Sequence, residues 1–299
     1  MKINRSGSPV ASTRGERERI HSARRGLIVY FAMLVPLSTL CYVMIPKSSL
    51  FILLLMWAPG LSSIAARLLL REGIRDISLR VKGKQLLKSL PWILLFPSAI
   101  GLVAYGIAWM TGLVQFAAPD TFIKAPPAVL FLGFWLVQTV GGTAVGVISS
   151  SGEELGWRGY MLTRLIDARV PYPLLTSGII WGLWHLPVMM EGLYYSGPYP
   201  VLSIALFMVS VTSFGIIIGR LRLATGSIWP AILLHACWNA VIQDVFDSFS
   251  KGKNVLLWTG ESGIFVALAL LASAWVISRR TISIQRLSRR WISLRPPKC

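Results

Sequence analysis

Between Gly26 and Ser278 the chain is a succession of apolar runs, each about twenty residues long and separated by short polar breaks. A bilayer core is ~30 Å thick, and a helix rising 1.5 Å per residue crosses it in about 20 residues. Eight runs have this length: 26–45, 49–70, 90–111, 127–150, 172–191, 199–219, 227–247 and 261–278. In hydrocarbon every backbone N–H and C=O must find a partner within the protein, so a run of this length is a helix. The fold class expected is therefore all-α, a polytopic membrane protein of about eight transmembrane helices. Charged residues make up only 14% of the chain, against about a quarter in soluble domains. The first run is too long for a signal-peptide core and reads as a retained membrane helix.

The charge is strongly basic, +18 at neutral pH, but it is spread along the breaks. That distribution argues against nucleic acid as a partner, because no single soluble face gathers it. It follows membrane topology instead. With eight spans and both tails on one side, 26 of the 30 Lys and Arg fall in the same compartment. The opposite breaks hold only Lys47, Lys124, Lys251 and Lys253. Cytoplasmic segments carry this excess, so both termini are expected in the cytoplasm and the protein in the inner (cytoplasmic) membrane. Five segments follow. Residues 1–25 form a basic, disordered tail, 26–125 the first membrane helices and 126–250 a core rich in motifs. Residues 251–278 form the last span, and 279–299 a second basic tail that either anchors the topology or lies on anionic lipid.

Three polar signatures interrupt the core. The first is Glu153-Glu154-x-x-x-Arg158, the second Trp181-x-x-x-His185, the third His235-x-x-x-Asn239. Ionisable groups within membrane spans are costly and mark functional sites by default. On a helix Glu154 and Arg158 share a face and can pair, while Glu153 points about 100° away and is left for chemistry. A carboxylate and an imidazole can activate water, and neutral donors such as His235 and Asn239 can meet a developing oxyanion. Each signature also has a structural alternative: a helix-end ion pair, a hydrogen-bonded core histidine, a His–Asn bond between helices. The alternatives would have to hold at all three places in one domain. Gly142-x-x-x-Gly146 and Gly215-x-x-x-Gly219 are expected to seat helices closely against one another. Cys41, Cys237 and Cys299 have no pairing pattern.

In this order and spacing the three signatures resemble the CPBP (ABI) family of intramembrane proteases, which includes the type II CAAX prenyl endopeptidases. Gly226-Ser227-Ile228-Trp229-Pro230 before His235 is similar to that family too, and the resemblance covers about residues 130–245. It implies an active-site cavity recessed in the membrane and reached from the cytosol. It implies that Glu153, helped by His185, activates water, that His235 and Asn239 hold the oxyanion, and that Glu154, Arg158 and Trp181 support the site. Phe is the commoner residue where Trp181 stands. Cofactors stay open between none and a zinc held by Glu153, His185 and His235, a His2Glu donor set. The partners implied are membrane lipid and a peptide or membrane-protein substrate. Two rivals remain from other classes: a non-catalytic scaffold or bacteriocin-immunity protein, and a proton-coupled transporter using the buried Glu and His. For Glu153 to meet the histidines, the fourth helix must run on to about Arg164.

Overall fold

The computed structural model describes residues 9–81 and 83–280. Among the described residues, helical rods follow the apolar runs. They are α1 (Pro9–Met44), α2 (Leu50–Leu69), α3 (Gly83–Met110), α4 (Pro127–Asp167), α5 (Pro173–Met190), α6 (Pro200–Thr225), α7 (229–247) and α8 (Ile264–Arg280). Rods α1 to α6 are long and apolar enough to cross a membrane. Rod α8 is shorter, and α7 is interrupted by polar residues and a change of helix type. The protein is thus a polytopic all-α membrane protein. Among the described residues the one ladder is a two-residue antiparallel pair, Gln115–Phe116 with Ser250–Lys251. Readings made for the tail beyond Arg280 lie outside the described residues.

One expectation fails at the N-terminal end. Residues 9–25, taken from sequence as part of a disordered tail, continue α1 without a break. Arg and Glu between Arg14 and Arg19 are good helix formers, and Glu16 pairs with Arg169 at the end of α4. The helix runs on from the span into these residues, and the pair ties its side to the end of α4.

Rod α4 organises the bundle. It runs unbroken for 41 residues, as the glutamate motif required, and contains two π-helical stretches, Gln138–Gly142 and Trp157–Met161. Glycines let its neighbours approach. A Cβ added to Gly152 would stand 2.6 Å from the Trp57 Cα of α2, and one on Gly60 would stand 2.6 Å from the Gly152 carbonyl oxygen. On another face Gly142 and Gly146 meet Ala240 and Ala236 of α7, while Gly215 of α6 meets Gly178 of α5. The two Gly-x-x-x-Gly pairs therefore pack helices, as read.

The two ends of the bundle are built differently. At the basic end, the loop after α2 is tied down by arginines. Arg67 bonds the Gly73 carbonyl (2.6 Å) and Asp76 (2.5 Å), and Arg164 bonds Glu72 (2.6 Å) and Asp76 (3.0 Å). Arg222 donates to the carbonyls of Asp76 and Ile77 at 2.9 and 3.1 Å. Arg67 and Arg164 also lie over the Tyr160 ring, each 4.8 Å from its centroid. At the other end tyrosines do the tying: Tyr105 and Tyr195 both donate to Asp247, and the Gly260 N–H donates to the Tyr105 hydroxyl.

Overpacking a close helix contact costs about 1–3 kcal/mol or more. Gly152→Leu is expected to lower the melting temperature in detergent sharply. Gly133→Leu, at a lipid-facing position with nothing within 4 Å, is expected to leave it unchanged; thermal scans of both variants check this.

Candidate active site

The tight seat of Gly152 against α2 fixes the two residues that follow it. Glu153 and Glu154 point to different sides of α4, as a helix dictates. Glu154 is fully buried, and its Oε1 takes two donors: Arg158 Nη1 at 2.7 Å and His235 Nδ1 at 2.9 Å. The Arg158 guanidinium, itself fully buried, stacks over Trp181 with its carbon 4.2 Å from the ring centroid. One face of α4 thus carries an ion pair that reaches across to α7.

Glu153 is held differently. Its Oε2 accepts from the Trp181 indole at 2.7 Å and more weakly from the Trp157 indole at 3.3 Å. Trp181 therefore does more than the packing read from sequence, because its N–H fixes the carboxylate. The same ring lies edge-on to both histidines, with centroids 5.8 Å from His185 and 5.3 Å from His235. His185 is wedged among Trp184, Tyr194 and Phe207, and its Nδ1 lies 2.9 Å from the Trp181 carbonyl.

These bonds fix the histidine tautomers. A carbonyl can only accept, so His185 Nδ1 carries the proton and Nε2 presents its lone pair. His235 likewise donates from Nδ1 to Glu154. A neutral His235 then offers Nε2 as an acceptor. The expectation that His235 is a neutral oxyanion donor is therefore corrected: it donates to the cavity only as imidazolium, with Glu154 as counter-ion. Asn239, one turn on, accepts from Gln243 Nε2 at 3.4 Å through Oδ1, which leaves its Nδ2 hydrogens for the cavity.

One cavity of about 240 Å³ collects Glu153, His185, His235 and Asn239 along its wall, with Trp181 between them. Glu154 and Arg158 lie behind that wall, as supports. The free atoms are Glu153 Oε1, His185 Nε2 and His235 Nε2, none of which has a hydrogen-bond partner or is sealed from the cavity among the described residues. The cavity reaches the surface at Ile52 and Leu193, which are 48% and 51% exposed. These lie at the α1–α2 turn and the α5–α6 loop, at the end of the bundle away from the arginine-tied loop. Family resemblance implied an approach from the cytosol, and the charge count assigned the cytosol to the arginine end. The cavity opens at the opposite end, so these two expectations do not hold together.

Sequence reading missed four participants. Trp157 is the second indole on Glu153. Gln243, Tyr194 and Glu261 line the far part of the cavity. Gln243 could have been found, since His235, Asn239 and Gln243 recur every fourth residue. Glu261 sits in an irregular segment before α8 where no periodicity marks it.

The three signatures lie on rods α4, α5 and α7. Residues 128–241 match the family model described as type II CAAX prenyl endopeptidase Rce1-like. The core of this chain is similar to that family. The match takes in all three signatures and stops two residues after Asn239, so Gln243 and Glu261 lie beyond it. No curated protein matches the chain. The protein is thus a multi-pass membrane protein whose core is similar to a family of proteases.

A zinc at Glu153, His185 and His235 does not fit the side chains as they stand. No three His, Cys, Asp or Glu among the described residues, these included, are grouped closely enough to hold a metal.

Trp181→Phe would keep the ring between the histidines while removing the indole donor. A hydrogen bond to a charged group contributes roughly 1.5–3 kcal/mol, and 1.4 kcal/mol is tenfold in rate. Peptide cleavage by the Phe variant is expected to fall about 10- to 100-fold with the protein still folded, as a turnover assay beside a thermal scan will read.

Proposed function

We propose that this chain is an intramembrane endopeptidase that hydrolyses a peptide bond of a peptide or membrane-associated protein. The observation that carries the reading is the single cavity into which Glu153, His185, His235 and Asn239 all turn an unused polar atom.

A water between Glu153 Oε1 and His185 Nε2 has two acceptors to orient it, and both are fixed by the bonds behind them. As its oxygen attacks the substrate carbonyl, Glu153 takes the proton, a step in which a positioned base contributes about 10²–10⁴-fold. Negative charge gathers on the former carbonyl oxygen. Asn239 Nδ2 and the Nε2–H of imidazolium His235 donate to it, with Glu154 balancing the imidazolium. Collapse of the tetrahedral species breaks the C–N bond, and the Glu153 carboxyl returns its proton to the leaving amine. Arg158 remains the permanent partner of Glu154.

Purified protein in nanodiscs with a quenched peptide library tests this. Wild type is expected to cleave, including in the presence of a chelator. Glu153→Gln is expected to lose at least about 10²-fold, and Asn239→Ala about 10²–10³-fold, the range for an oxyanion donor. Cleavage that survives Glu153→Gln would refute the mechanism.

The same reading assigns the protein to the cytoplasmic membrane with the arginine end and both termini inside. Its cavity then takes substrate from the extracytoplasmic side. Leu193→Cys on a Cys299→Ser background, where Cys41 and Cys237 are buried, is expected to react with a membrane-impermeant maleimide in intact cells. A cysteine at Arg71 is expected to react only after the cells are opened, and the reverse pattern would overturn this orientation.

A further inference from the structure

Acids and bases are segregated in this bundle. Glu72, Asp76 and Glu154 each pair with an arginine. The cavity wall contains Glu153 and Glu261 and neither Lys nor Arg.

Glu261 is 9% exposed and its carboxylate is held by three neutral donors. Oε1 accepts from the Trp238 indole at 2.6 Å and Gln243 Nε2 at 3.0 Å, and Oε2 accepts from the Tyr194 hydroxyl at 2.8 Å. Among the described residues no Lys or Arg forms an ion pair with it. The oxygen bonded to Tyr194 accepts only one donor, so it has capacity for another.

Its placement is tied to the candidate catalytic groups. Gln243 bonds Glu261 and Asn239 with the same amide nitrogen. Tyr194 bonds Glu261 through its hydroxyl and stacks on His185, with centroids 5.7 Å apart. Glu261 is therefore fixed relative to both the water-orienting histidine and the oxyanion donor. A buried charge without a counter-charge is costly, and this one is built into a cavity wall with rigid support. Such an arrangement pairs its charge with something that comes and goes.

We propose that Glu261 is a specificity-determining residue of the cavity and selects substrates that present a cationic group beside the scissile bond. The group is an ammonium or guanidinium, supplied by a Lys or Arg side chain or by a free N-terminus. The same charge disfavours a peptide presenting a carboxylate there, whether from Asp, Glu or a free C-terminus. This proposal rests on the endopeptidase reading only in locating the scissile bond. The selection itself is a matter of binding.

The test measures binding in the Glu153→Gln protein, which is cleavage-dead on that reading and retains Glu261 as the cavity's acid. The probes are fluorescent peptides of one apolar sequence with C-terminal amides, carrying a single Lys, Arg, Glu or Gln, each N-acetylated or with a free N-terminus. Lys and Arg peptides are expected to bind at least tenfold tighter than the Glu peptide. The acetylated and free sets separate a side-chain cation from an N-terminal one. Glu153→Gln/Glu261→Gln is expected to abolish the preference, and Glu153→Gln/Glu261→Asp to retain it. Equal binding of Lys and Glu peptides by Glu153→Gln, or no binding of either, overturns the proposal without any Glu261 variant. A preference that persists in Glu261→Gln also overturns it. Absence of cleavage by the wild type, with the binding preference intact, would instead count against the endopeptidase mechanism alone.

Discussion

The ionic assembly of Glu154, Arg158 and His235 is what the site depends on. Two of its members are completely buried, and the third is 4% exposed. Stripping one partner from a buried pair leaves an uncompensated charge and costs ~3–5 kcal/mol. That penalty locks the register of α4 against α7, and everything on the opposite side of α4 inherits the lock. Glu153 is aimed because Glu154 is tethered. His235 faces the cavity with one nitrogen because the other is occupied. Trp181 stays edge-on to both imidazoles because Arg158 lies flat on its face. The glycines at 142, 146 and 152 serve this assembly by bringing backbones close enough for short side chains to meet.

The bundle also divides its labour along its length. Arginine, with several donors and a charge that does not titrate, closes one end by gathering carbonyls and carboxylates of the same loop. Tyrosine hydroxyls tie the other end more lightly, around Asp247 and the segment before α8. The cavity opens where the lighter ties are. A closed basic end and an open acidic interior follow from where each residue type was placed, and they give the cavity its polarity.

Much of this was legible in the sequence. The apolar runs became helices, six of them among the described residues long and apolar enough to cross a membrane, because hydrocarbon leaves the backbone no alternative to helix. The pairing of Glu154 with Arg158 followed from their four-residue spacing, and the small residues announced the close packing. What spacing along one helix could not give was contact between helices. Nothing before the fold showed that His235 would choose Glu154, which fixes its tautomer and changes its chemical role. Tyr194 and Glu261 enter the cavity from irregular segments, where side-chain direction depends on tertiary ties and has no period to read. The ion pair of Glu16 with Arg169 was hidden for the same reason, since it spans over 150 residues of chain.

The two cavity carboxylates share one trait: tryptophan holds both. Indole nitrogen gives a hydrogen bond but neither surrenders its proton nor accepts another in the ordinary range of pH. Trp157, Trp181 and Trp238 thus hold the carboxylates of the cavity through groups that do not exchange protons. On the mechanism proposed above, a proton taken from water by Glu153 would have no indole to leak into and would stay on the carboxyl until an amine is there to receive it. An arginine or tyrosine in the same places would hold the carboxylates as firmly, yet would offset their charge or open a second route for the proton.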